Sequence, residues 1–227
     1  MRIAFALAPI VLLAACGGEA PEPSPSPTPT TVAAGPRTLL ATGFQEIELG
    51  PKIVGPQGPE VSSELSFEGQ PVASMTSYVA CPAPAEGTEP ADECDPSVQE
   101  DGAIYTYVMR ITSTGTDTEA QPYALRTARR ASGFANNLGF DRQQAEAALG
   151  EGYRIVVQEE NGFLTWRIEA GNGWGEGEEI TFFWQSELPP EGPAEVYEIE
   201  SNTGTALLTG PFPPNESADP AETASGS

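Results

Sequence analysis

Tyr153-Arg154-Ile155-Val156-Val157-Gln158-Glu159-Glu160-Asn161-Gly162-Phe163-Leu164-Thr165-Trp166-Arg167-Ile168 is the stretch on which the fold turns. Tyr153, Ile155 and Val157 recur at every second position. Beyond Asn161-Gly162, Leu164, Trp166 and Ile168 do the same, with Thr165 and Arg167 opposite them. Successive side chains of a strand point to opposite faces, so each row is one apolar face of a strand. Asn-Gly between two such rows signals a type I′ turn, because both central residues of that turn need a positive φ. The segment therefore reads as a β-hairpin with one face turned to a core.

The same period extends outward. Tyr105, Tyr107, Met109 and Ile111 form one row, with Thr106, Val108 and Arg110 on the reverse face, and Ile180, Phe182 and Trp184 form another. A second hairpin is expected from residues 196–200 and 205–208, joined by Ser201-Asn202-Thr203-Gly204. Further strands are expected near residues 39–49, 63–67 and 72–80, where Gly and Pro interrupt the pattern. One short helix is expected, capped by Asp141, filled by residues 142–149 and ended by Gly150. The 23 prolines and 24 glycines suit short strands and turns rather than a helical bundle. These features predict a mainly β, antiparallel β-sandwich spanning residues 37–213, with disordered tails on either side.

Tyr105-Thr106-Tyr107-Val108-Met109-Arg110-Ile111-Thr112-Ser113-Thr114-Gly115-Thr116 resembles the strand and turn of Ig-like repeat modules in bacterial surface proteins. Those modules read Asn-Thr-Gly where this chain has Ser113-Thr114-Gly115. Their later alternating strand is similar to Gly177-Glu178-Glu179-Ile180-Thr181-Phe182-Phe183-Trp184. The resemblance implies an Ig-like sandwich and a role in adhesion or scaffolding.

The N-terminus carries an address. Met1-Arg2 is a short positive region, and residues 3–13 are apolar apart from Pro9. That run is shorter than the roughly 20 residues needed to span a bilayer and reads as the core of a signal peptide covering residues 1–15. Leu13-Ala14-Ala15-Cys16 then resembles the lipobox of bacterial lipoproteins. The resemblance implies cleavage before Cys16, a thioether-linked diacylglycerol on its sulfur, and N-acylation (palmitate) in many species. An ordinary signal cut after Ala15 or Ala20 is the alternative. Gly17 after the cysteine, in place of Asp, implies outer-membrane sorting, facing the periplasm or the cell surface. Residues 16–36 follow as a tether in which proline at every second position from Pro21 to Pro29 forbids helix and favours polyproline II, reaching up to about 60 Å. Residues 214–227 are acidic and nearly free of large apolar side chains, so they are expected to be disordered.

With Cys16 taken by lipid, Cys81 and Cys94 remain, an even number in an oxidising compartment, and are expected to form a disulfide. A Cys/acid metal site around Asp92, Glu93, Cys94 and Asp95 is the alternative. The net charge of −23, from 33 acids against ten bases with Lys52 the only lysine, argues against nucleic acid as a partner. The absence of histidine removes Ser-His-Asp and Cys-His chemistry and histidine-ligated zinc. Lys52 follows no glycine-rich loop, no EF-hand register is present, and neither a cofactor nor a metal site is expected.

Two features remain as ligand contacts. Trp174 lies in Gly171-Asn172-Gly173-Trp174-Gly175-Glu176-Gly177, read as a mobile loop that offers the indole as a stacking platform for sugar or peptide. Arg126, Arg129 and Arg130 are a basic cluster that either meets anionic envelope polymers or pairs with the chain's own acids. The expected function is a non-enzymatic binding or structural module, anchored to the bilayer through Cys16, with an envelope protein or glycan as partner. The alternative is a carboxylate-dependent glycan hydrolase, since paired acids such as Glu159-Glu160 and Glu178-Glu179 abound.

Overall fold

The computed structural model describes residues 35–67, 69–85, 87, 89, 91–114 and 121–215. The expected signal peptide, Cys16, most of the tether and residues 216–227 of the acidic tail lie outside them. Among the described residues thirteen strands are formed: β1 (Arg37–Leu39), β2 (Thr42–Gly43), β3 (Leu49–Lys52), β4 (Val61–Phe67), β5 (Gln70–Pro82), β6 (Tyr105–Ser113), β7 (Pro122–Thr127), β8 (Phe134–Phe140), β9 (Arg154–Glu160), β10 (Phe163–Ala170), β11 (Glu179–Ser186), β12 (Gly192–Ser201) and β13 (Gly204–Phe212). An α-helix, α1 (Arg142–Leu149), links β8 to β9. The six-stranded sheet runs β1-β9-β10-β7-β12-β13. The seven-stranded sheet runs β2-β8-β11-β6-β5-β3, with β4 also paired to β5. Neighbours are antiparallel except β2 and β8, which run parallel. The chain is a β-sandwich.

The period-two rows face one another between the sheets. Tyr107, Met109, Ile111, Phe182 and Trp184 of the seven-stranded sheet bury against Val157, Leu164, Trp166 and Ile199 of the other. Tyr107 stacks on Trp184 with centroids 4.4 Å apart. The Trp166 Nε1–H crosses the core and donates to the Gly139 carbonyl at 3.0 Å, a polar tie between the sheets. The Asn161-Gly162 turn has both residues at positive φ, 53° and 84°, as its sequence demands. Helix α1 also follows its sequence. Asp141 Oδ1 accepts from the backbone N–H of Gln143 and Gln144 at 2.9 Å each, and Gly150 ends the helix at φ 83°.

The structure corrects one expectation and adds two features that the sequence did not specify. Residues 39–49 are not one strand: β1 belongs to one sheet and β2 to the other, so the chain changes sheets at Leu40-Ala41 and then makes a 3-10 turn over Phe44–Glu46. β2 lies so close to β8 that any side chain at Gly139 would collide with the Thr42 carbonyl. Next, the reverse face of β6, whose surroundings the sequence left open, is covered at Val108. Tyr78, Ala80, Val108 and Phe183 form a second apolar cluster outside the seven-stranded sheet, covered by Phe44, Ile47 and Leu49. Finally, β7 and β8 occupy a region with no expected strand. Asn136 at φ 56° breaks the alternation within β8 and hides it from a period-two reading.

The registers define two poles. At one, the chain enters at β1 and leaves after β13, beside the Asn161-Gly162 turn and the far end of β5 that carries Cys81. The other holds α1, the glycine-rich loop and the turn between Ser201 and Gly204.

Candidate functional site

At the entry pole Cys81 and Cys94 are paired as a disulfide, with Cα atoms 6.1 Å apart. Cys94 is held from its other side as well, since its N–H donates to the Lys52 carbonyl at 3.0 Å. With its sulfur in the bridge, Cys94 has no thiolate to give a metal. Asp95 is occupied too: its carboxylate accepts from the Ser97 hydroxyl at 2.7 Å and the Ser97 N–H at 2.9 Å, which lowers its pKa. Among the described residues no group of three or more acids and cysteines is placed to hold a metal ion. A cleft of about 730 Å³ opens beside the bridge, walled by Pro82, Pro84 and Val98 and bordered by Glu93, Asp95 and Asp101. No described aromatic side chain lines it.

The basic cluster is divided. Arg126 pairs with Glu198 and, at 3.5 Å, with Glu200. Arg129 turns the other way, donating to the Pro213 carbonyl at 2.9 Å with its guanidinium 5.0 Å from the Phe212 ring. Arg130 is exposed, and its stem lies against Gly162. Thus the three arginines do not converge on one site. Arg126 belongs to a lattice on the outer face of the six-stranded sheet that includes Arg154–Glu169 at 2.8 Å and Arg167–Glu200 at 3.9 Å, while Arg37 pairs with Glu159 at 3.2 Å at the entry end of that sheet and donates to Asn136 of β8 at 3.1 Å.

Trp174 is the clearest correction. It is 3% exposed and packs into the core, its ring centroid 6.3 Å from that of Phe182. Its Nε1–H donates to the Glu178 carbonyl at 2.9 Å. The Gln121 side chain clamps its backbone, accepting from the Trp174 N–H at 2.8 Å and donating to the Trp174 carbonyl at 2.6 Å. The alternating glycines bend the loop so that the indole turns inward and closes the distal end of the sandwich. It is no platform for a ligand. The hole it fills is made by residues of other elements, so the local sequence gave no sign of it.

Sequence reading missed the surroundings of Tyr78. Its ring has the Lys52 Nζ at 4.1 Å and the Arg110 guanidinium at 5.4 Å, and Arg110 donates to its hydroxyl at 3.4 Å. The one signal available was Arg110 itself, an outward cation within a strand otherwise rich in apolar side chains. Two other tyrosines are internal. Burial pushes the Tyr107 hydroxyl well above its ordinary range, and Tyr197 and Tyr105 nearby add to it. Burial also raises Tyr197 strongly, against the opposing hydrogen bond from Trp184. Both are polar ties inside the core: Tyr107 donates to the Leu188 carbonyl at 3.0 Å, and Tyr197 to the Pro211 carbonyl at 3.4 Å.

Comparison with protein-family models, curated proteins and solved structures gave no match to this chain.

Proposed function

We propose that this chain is an exported bacterial lipoprotein of the cell envelope, whose β-sandwich is a non-enzymatic binding or structural module anchored through lipid on Cys16. The observation that carries this reading is the order of residues 1–16: positive start, short apolar run, then Leu13-Ala14-Ala15-Cys16. Two further features support it. The pairing of Cys81 with Cys94 suits an oxidising compartment. The described chain enters at the pole beside β1, which is where a tether over residues 16–36 would attach. Two or more acyl chains give stable anchoring where one chain is marginal.

Metabolic labelling with an alkynyl palmitate analogue, followed by membrane fractionation, tests the anchor. The wild-type chain should take up label and sediment with membranes, while Cys16→Ser should lose both. A wild-type chain that sediments with membranes without label would overturn the reading.

A further inference from the structure

Nine of the ten bases fall within the described residues. Six of them, Arg37, Lys52, Arg126, Arg142, Arg154 and Arg167, sit in ion pairs. Of the other three, Arg130 is exposed and Arg129 has the Pro213 carbonyl. Arg110 is different. It is half-buried at the middle of the seven-stranded sheet, and among the described residues its side chain has only Tyr78 as a partner. A guanidinium carries five N–H donors in a planar fork and keeps its charge at any physiological pH. Leaving such a group partly desolvated with no anion costs free energy. In a chain with 33 acids, an ion-pair partner would be easy to supply.

The neighbouring acid declines the role. Glu179 shares this face and pairs in register with Thr112, but its carboxylate takes the Gln144 amide at 3.4 Å and the Thr112 hydroxyl at 3.5 Å rather than Arg110. The groups that flank Arg110 across the sheet are neutral hydroxyls: Thr76 on β5, hydrogen-bonded to Ser62 at 3.3 Å, and Thr181 on β11. The chain's only lysine lies over the same Tyr78 ring from β3. Arg110, a lysine already paired with Glu60 and a set of hydroxyls thus share a patch of an otherwise acidic molecule, and among the described residues Arg110 is its one cation without an acid partner. Beyond about 8–10 Å the repulsion from the remaining acids is screened at physiological salt, so the patch acts on what touches it.

We infer that Arg110, with Thr76 and the Lys52-flanked Tyr78, forms a binding site for an oxyanion, a carboxylate or phosphate carried by an envelope ligand. The guanidinium fork takes two oxygens side by side, and the Thr76 hydroxyl donates to one of them. The site is independent of the lipid anchor.

The test is an NMR titration of the isotope-labelled full-length protein in detergent with inorganic phosphate and with citrate, each against chloride at matched ionic strength. Backbone amides of Thr76, Tyr78 and Thr112 and the Arg110 Nε–H should shift saturably with one or both oxyanions and not with chloride. Tighter phosphate points to a phosphorylated head group as the source, and tighter citrate to a carboxylate polymer. Arg110→Gln should weaken the amide response at least tenfold, while Arg126→Gln, drawn from an ion-paired lattice, should leave it unchanged. No saturable shift in the wild-type protein, or an equal response in Arg110→Gln, would overturn the proposal. Because the wild-type titration reads Arg110 directly, the outcome does not depend on the variant's folding.

Discussion

At the pole where the chain enters and leaves, a disulfide and a strand bridge hold a loop rich in proline and acids that has few apolar side chains of its own. At the opposite pole the sandwich closes without a covalent link, by inserting Trp174 between the sheets and laying a capped helix beside it. The first device limits the unfolded chain, and the second fills folded space. Their failures should therefore differ in size and in kind, and each can be broken separately.

The largest loss is expected in the core. Trp174→Ala removes a 3%-exposed indole and its bond to Glu178, which should cost about 3–5 kcal/mol, comparable to Trp166→Ala and Trp184→Ala at the centre. Thermal melts of the three variants read this, and a melting temperature unchanged by Trp174→Ala would contradict the plugged pole. The disulfide comes next. Its loop has a sequence separation of 13, so the double change Cys81→Ala and Cys94→Ala should lose about 3 kcal/mol by the chain-entropy argument. Reduction of the wild-type protein by dithiothreitol should lower the melting temperature by a similar amount and leave Trp fluorescence at the other pole unchanged.

Smaller effects follow. Tyr107 and Tyr197 are protonated in the fold with pKa values raised above the ordinary 10.0. A raised folded-state pKa contributes stability that is intact below the unfolded pKa and is lost as pH rises above it. Denaturant melts should therefore be flat on this account between pH 8 and 9.5, then lose about 1.4 kcal/mol per tyrosine by pH 11. Tyr197→Phe should flatten part of that fall. At the distal helix, Asp141→Ala frees two backbone N–H groups and should cost about 1 kcal/mol. On the outer lattice of the six-stranded sheet, Arg126→Ala should change stability by under about 1 kcal/mol, less still in high salt.

Much of this fold was legible because its signals are local. Asn161-Gly162 names its turn, Asp141 and Gly150 mark their helix, and the rows through Tyr107, Trp166 and Trp184 declare an inner face. What escaped depends on partners distant in sequence. Trp174 is buried by Phe182 and clamped by Gln121, neither of which a glycine-rich window can announce. Val108 and Phe183 are covered by Phe44 and Ile47, which lie far from them in sequence. Arg110 shows the same limit from the polar side, since its significance lies in the ion pair that neighbouring acids do not make.

The intact mass of the protein purified from bacterial membranes tests the anchored-module account most directly. The account predicts a chain beginning at Cys16, heavier by a diacylglyceryl group and lighter by the two hydrogens of the Cys81–Cys94 bridge. A mature chain with an unmodified Cys16, or one that begins beyond it, would contradict the account.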